Sequence, residues 1–353
     1  MKEIMSNHVK IESVSMAKAI AIILMVLAHT QFSQFGIIFI NMFHMSLFFF
    51  MSGYCFNESY LCNLKGFVIK KVKGLYFPYV KWSIAFLALH NIFFHLNIYN
   101  NAYASRLYEG EDFTIKAVHI VTRMFDHEQL LGGFWFLRCL LVSSFVGFVL
   151  IRYCSKNKKL QFASFLFCIF FAMVASYFNK QMHFIGIDTA QQFIGTAFFF
   201  AGFLFRKNEF RLPIVVYPFA IITIVCGSLY LPMSFADITY WKIMPWFVIS
   251  IMGCLTIFDL CKLMELKVFF GKKLLIYIGN NTLSVLALHF LCFKIVSLAI
   301  ICFYNFPIEQ LAKFPTIKDL SGWWIAYLII GVMVPIVSLN VVKKFINMIR
   351  NIS

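Results

Sequence analysis

Negative charge is what this chain has least of. Asp and Glu number 15 against 31 Lys and Arg, and charged residues make up only 13% of the 353. A soluble domain carries about a quarter charged residues, so an ordinary water-exposed globule is excluded. The ten Cys form no Cys-x-x-C pair, and no His/Cys group has zinc spacing, so no metal site is expected. The scattered thiols read as reduced, small apolar fillers. The N-terminus lacks a short apolar core followed by a cleavage site, so the first hydrophobic run is expected to stay as an anchor. No internal repeat, low-complexity tract or long linker divides the chain, and residues 1–353 read as one transmembrane domain with no fused soluble domain.

What is present is apolar. Hydrophobic residues make up 61% of the chain, 45 of them Phe, and the mean hydropathy is +0.81. The fold class is therefore all-α, a polytopic membrane protein. Runs long enough for a bilayer cover about 12–30, 35–56, 75–98, 133–153, 160–178, 188–205, 212–231, 243–261, 274–304 and 322–342, about ten transmembrane helices. The longest polar stretch is 99–132. Basic residues concentrate in alternate connections: Lys65, Lys70, Lys71 and Lys73; Arg152, Lys156, Lys158 and Lys159; Arg206, Lys207 and Arg211; Lys262, Lys267, Lys272 and Lys273; Lys343, Lys344 and Arg350. The positive-inside rule makes that face cytoplasmic, with both termini. The net charge of +16 is then an orientation signal, and nucleic acid is not an expected partner.

The first run holds Lys18 and His29, eleven residues apart and about 16 Å along a helix axis. Ionisable groups at membrane depth are functional hypotheses by default; the plain alternative is a snorkelling Lys and a bundle-interior His. His44, Arg138 and His289 also fall at or above the midplane when depth is measured from the run ends. Lys18, Lys70, Lys71 and Lys73 lie toward the basic face. This predicts a cationic mouth with an imidazole cluster deeper in. An anionic carrier would dock at the lysines, which bind phosphate as point charges, and a flexible arm would reach the histidines. The competing reading of Lys65 to Lys73 is a topology signal alone.

Several motifs in this order resemble the acyltransferase 3 family of integral membrane acyltransferases. That family has an Arg, ten residues and a His in its first helix, where this chain has Lys18 and His29. His44-Met-Ser46-Leu-Phe-Phe-Phe-Met-Ser52-Gly53 resembles its His-x-Pro-Leu-Phe-Phe-Phe-x-Ser-Gly, with Ser46 in the Pro position. Lys70 and Lys73 before Pro78-Tyr79 are similar to its basic pair, Trp135-Phe136-Leu137 to its Trp-Phe-Leu, and Ser284 to His289 to a helix that ends in a His. The resemblance implies transfer of an acyl group, usually acetyl from acetyl-CoA, to a hydroxyl of a cell-surface glycan or lipid-linked sugar. Acyl-CoA is then a co-substrate with no permanently bound cofactor, and the chain is placed in the bacterial cytoplasmic (inner) membrane. His29 is the expected base or acyl-carrying nucleophile. His44, Arg138 and His289 are catalytic candidates that orient it, bind the sugar or stabilise the oxyanion. Lys18, Lys70, Lys71 and Lys73 are donor-binding candidates, and Trp135 and Ser52 substrate-binding ones, with anchoring at the lipid interface the competing reading of Trp135. The Lys-for-Arg departures keep charge and lose the bidentate fork. The alternatives are a transporter or flippase for a lipid-linked sugar, and an inactive relative in an assembly; homo-oligomerisation stays open.

Overall fold

A computed structural model describes residues 11–103, 105–182, 187–209, 213, 215–317, 320 and 322–350. Among them there is no strand. In order, the α-helices are α1 (Glu12–Ala28), α2 (Gln34–Asn41), α3 (His44–Tyr54), α4 (Leu64–Lys71), α5 (Phe77–Ala88), α6 (His90–His95), α7 (Gly110–Arg123), α8 (Trp135–Cys154), α9 (Lys158–Met182), α10 (Ile187–Lys207), α11 (Val216–Tyr230), α12 (Ile243–Glu265), α13 (Lys272–Asn280), α14 (Thr282–Tyr304) and α15 (Trp323–Arg350). Among the described residues, five stretches are long and apolar enough to cross a bilayer: Gln34–Tyr54, Trp135–Cys154, Lys158–Asn179, Tyr240–Glu265 and Thr282–Tyr304. This is an all-α integral membrane protein. Arg211 lies outside the described residues, as do the side chains of Lys343, Lys344 and Arg350.

α1 is the axis of the bundle, touching α3, α12, α13, α14 and α15. Its start is tied to α13 by the Glu12–Lys272 ion pair at 2.8 Å. Gly279 of α13 lies against the Ser15 carbonyl, where any Cβ would collide. α3 and α10 meet backbone to backbone in the same manner. A Cβ on Gly53 would run into the Phe199 carbonyl, and one on Gly202 into the Phe50 carbonyl. In lipid, where apolar burial between helices gains little, such close approach is what holds helices together. Ser250 of α12 adds a hydroxyl bond to Ser46 of α3 at 2.6 Å. The connection 231–239 dips inward, so that Phe235 is buried between Phe49, Phe198, Trp135 and Trp246. Gln191 donates to its carbonyl at 2.7 Å.

Three of the expected single spans are interrupted: 75–98 breaks at Leu89, between α5 and α6, and in the other two a side chain bonds a backbone carbonyl at the break. In 35–56 the helix stops at Asn41 and restarts at His44. His44 Nδ1 donates to the Ile40 carbonyl at 2.9 Å, the group that its own backbone N–H would bond in a continuous helix. In 274–304 the break is at Asn281, whose side-chain amide donates to the Tyr277 carbonyl at 2.8 Å while its N–H bonds Ile278 instead. Such side chains compete with the helical ladder. A further irregularity separates α4 from α5: Val72–Tyr76 is a π-turn, with Phe77 N–H reaching back to Val72. Pro78 follows, and a proline offers no N–H to the carbonyl four residues earlier, here Gly74.

The polar stretch 99–132 is more ordered than its composition suggests. α7 begins with a capping box between Glu109 and Asp112 and ends at Met124 in the left-handed region. It runs antiparallel to α5: Asn91 bonds the Tyr108 backbone near one end, and Tyr76 bonds the Val121 carbonyl near the other. His90, stacked on Tyr108 at 3.4 Å between ring centres, bonds the buried Glu128 at 2.7 Å. Burial, with Glu128 beside them, holds the Tyr99 and Tyr108 hydroxyls protonated well above the usual phenol range.

Candidate active site

The histidines of α1, α3 and α14 converge. His29, the C-cap of α1, stacks on His289 with 5.7 Å between ring centres and 26° between planes. Its other neighbour is Phe290, at 4.9 Å. His44 opens α3, which packs against α1. The rings differ in their bonding. His44 Nδ1 faces the Ile40 carbonyl, and His289 Nδ1 faces the carbonyls of Val285 and Leu286 at 2.9 and 3.2 Å. A carbonyl only accepts, so both neutral rings carry their proton on Nδ1 and leave Nε2 as a lone pair. The His289 Nε2 is buried without a hydrogen-bond partner among the described residues. His29 is partly exposed and makes no ring hydrogen bond among the described residues, so both of its ring nitrogens are left open to a substrate.

A cavity of about 310 Å³ leads toward this cluster, lined along α1 by Val14, Lys18, Ile22 and Met25. Those positions lie three or four apart, one face of a helix, and the next step along that face is His29. α14 repeats the pattern, with Thr282, Leu283 and Leu286 on the wall and His289 one turn on. Met45, Phe48 and Ser52 of α3, and Phe136, Leu137 and Leu140 of α8, complete most of the wall. The lining is apolar except near Lys18, Ser52 and Thr282.

At its Lys18 end this cavity shares Ser52 and Cys55 with a second one of about 180 Å³, lined also by Phe56, Tyr60, Phe67, Lys70 and Lys71. Lys71 donates to Ser52 at 3.1 Å and lies over the Phe199 ring, while Lys70 lies over Tyr60. Two cations therefore stand at the entrance to the smaller space, and Lys18 stands at the start of the larger one.

The sequence-predicted residues fall into three groups. His29, His44 and His289 come together, and Lys18, Ser52, Lys70 and Lys71 line the joined cavities. Lys73 is exposed and lines neither cavity. Arg138 points to the Phe125 ring, 5.8 Å away, and Trp135 packs on Phe136 and Phe235; neither borders the two spaces. Sequence reasoning missed Cys55 at the junction and Gly74 and Leu75 on the wall. The Gly74–Pro78 spacing was the available signal, because it marks a helical irregularity. No group of His, Cys, Asp and Glu among the described residues is arranged to hold a metal ion.

No curated protein and no solved structure matches the chain. A family model described as an acyltransferase domain matches residues 11–341, and all the residues of these cavities and of the histidine cluster fall within it. The chain belongs to the acyltransferase 3 family of membrane acyltransferases.

Proposed function

We propose that this protein moves an acyl group, acetyl first among them, from acyl-CoA to a hydroxyl of a cell-surface glycan or its lipid-linked precursor. The single observation that carries the reading is the helix face Val14–Lys18–Ile22–Met25, which lines one cavity and leads to His29. The Lys70 end is cytoplasmic in this reading, both termini lie on that side, and the membrane is the bacterial inner one. Lys70 and Lys71 receive the phosphates of the donor. Lys18 and Ser52 meet the start of its pantetheine arm, and the arm runs along the apolar wall until the thioester reaches His29.

His29 then acts as general base. It takes the acceptor's hydroxyl proton as the oxygen attacks the thioester carbonyl. The C–O bond forms, the C–S bond breaks, and the proton passes to the departing thiolate. His289, whose Nε2 lone pair is buried and unpartnered among the described residues, stabilises the positive charge that His29 gains in between.

Membranes containing the protein, given labelled acetyl-CoA, are expected to pass label into glycan. His29→Ala is expected to lower that rate by about 10²–10⁴-fold, the usual worth of a general base, with expression and CoA binding kept. Retention of full transfer by purified His29→Ala removes the base role. The interruptions at 42–43 and at Asn281 favour a second reading, because broken helices also mark transporters. Movement of a lipid-linked sugar without label transfer would establish that reading and end the first.

A further inference from the structure

Lys294 is a buried cation that the acyl-transfer reading leaves unused. It lies on α14 four residues past Phe290, on the same helix face, and is 5% exposed. Its Nζ donates to the carbonyls of Leu311 and Lys313, at 2.8 Å each. An ammonium in an apolar interior is costly unless its protons are bonded, so cation and loop hold each other in one arrangement. Two further bonds fasten the same segment, 306–317. Asn100 donates to the Glu309 carbonyl at 2.9 Å, and the Ile317 N–H donates to the Tyr327 hydroxyl at 3.3 Å.

The clamped segment carries Phe314, next in sequence to one of the gripped carbonyls. The Phe314 ring lies 4.5 Å from Phe290, between centres, and Phe290 lies 3.9 Å from His289 and 4.9 Å from His29. Gly132 closes in from the connection before α8: a Cβ there would stand 3.3 Å from Phe290 and 3.4 Å from Phe314. The donor cavity ends at Met25 and Leu286 on one side of the histidines. Phe290 and Phe314 lie beyond it.

We propose that Lys294 is a positioning residue for acyl transfer: by clamping segment 306–317 it holds Phe314 on Phe290 as the wall that keeps water from His29. The inference rests on the acyl-transfer reading. Without the wall, water takes the acceptor's place. Its oxygen attacks the thioester carbonyl, the C–S bond breaks, and its proton passes through His29 to the thiolate, leaving free carboxylic acid and CoA. The ratio of hydrolysis to transfer therefore reports the wall.

The test compares the full-length wild type with Lys294→Met and Phe314→Ala in lipid nanodiscs. For each, acetyl-CoA hydrolysis, transfer to acceptor and KM for acetyl-CoA are measured. The rate of His29 carbethoxylation by diethyl pyrocarbonate is read by mass spectrometry. In both variants the hydrolysis-to-transfer ratio is expected to rise about tenfold, with KM for acetyl-CoA held within about twofold and carbethoxylation faster. A merely structural role would lower transfer and hydrolysis together. Unchanged ratios and unchanged carbethoxylation in both variants overturn the proposal. If Lys294→Met does not fold, Phe314→Ala carries the test, since it leaves both lysine bonds in place. If the wild type neither transfers nor hydrolyses, the acyl-transfer reading falls, and the carbethoxylation rates alone decide whether Lys294 and Phe314 shield His29.

Discussion

His29 differs from its two neighbours in what it is not bonded to. His44 and His289 each give a ring proton to a backbone carbonyl, while His29 has only ring contacts. The three imidazoles were legible in the sequence because each interrupts an apolar run, and such interruptions are costly in a bilayer. Their tautomers were not, since these depend on carbonyls that leave no trace in composition. Lys294 shows the same limit: its partners lie 17 and 19 residues away, in a loop whose side chains do not make the bond. Lys18 provides the residue-scale prediction. Lys18→Ala is expected to raise KM for acyl-CoA by about tenfold with little change in kcat, the mark of lost uniform binding. Lys18→Arg is expected to restore it, and steady-state kinetics over a range of acyl-CoA checks both. An unchanged KM in Lys18→Ala would leave Lys18 as an orientation signal alone.

Among the elements, hydropathy located the long spans because every backbone group in lipid must be bonded within its own helix. The interruptions at 42–43 and 281 escaped because neither contains Gly or Pro. They come from His44 and Asn281 side chains capturing carbonyls, which only the folded geometry reveals. Ser46 explains a motif departure. It falls in the first turn of α3, where a proline is tolerated, so the family's Pro and this chain's Ser fit the same place; the Ser adds the bond from Ser250. The helix in the polar stretch 99–132 left no clear trace in hydropathy, because charges surround the inward side of α7, where Ile120 is fully covered. The π-turn Val72–Tyr76 carries the element-scale prediction. Pro78→Ala supplies the missing N–H to Gly74 and lets the turn relax toward a regular helix, which rotates Gly74 and Leu75 on the cavity wall. KM for acyl-CoA is expected to rise while the melting temperature holds or rises. A KM equal to that of the wild type would mean that the turn has no part in donor binding.

For the molecule as a whole, orientation is the first thing to measure. Cys62 is exposed and lies just before α4, at the Lys70 end. With that end cytoplasmic, an impermeant maleimide is expected to leave Cys62 unlabelled in intact cells and to label it after permeabilisation; labelling in intact cells would invert the orientation. The larger cavity meets the smaller at Ser52 and Cys55 and stops short of the wall made by Phe290 and Phe314. On the acyl-transfer reading the lining offers no exit past that wall, so spent CoA backs out through the Lys70 doorway by which the donor came in. Free CoA is then expected to compete with acyl-CoA whatever the acceptor concentration, a pattern that initial-rate inhibition plots read directly. Turnover in that case is paced by the cytosolic ratio of acylated to free carrier, which makes the supply of activated acyl groups the throttle on how heavily the acceptor is decorated.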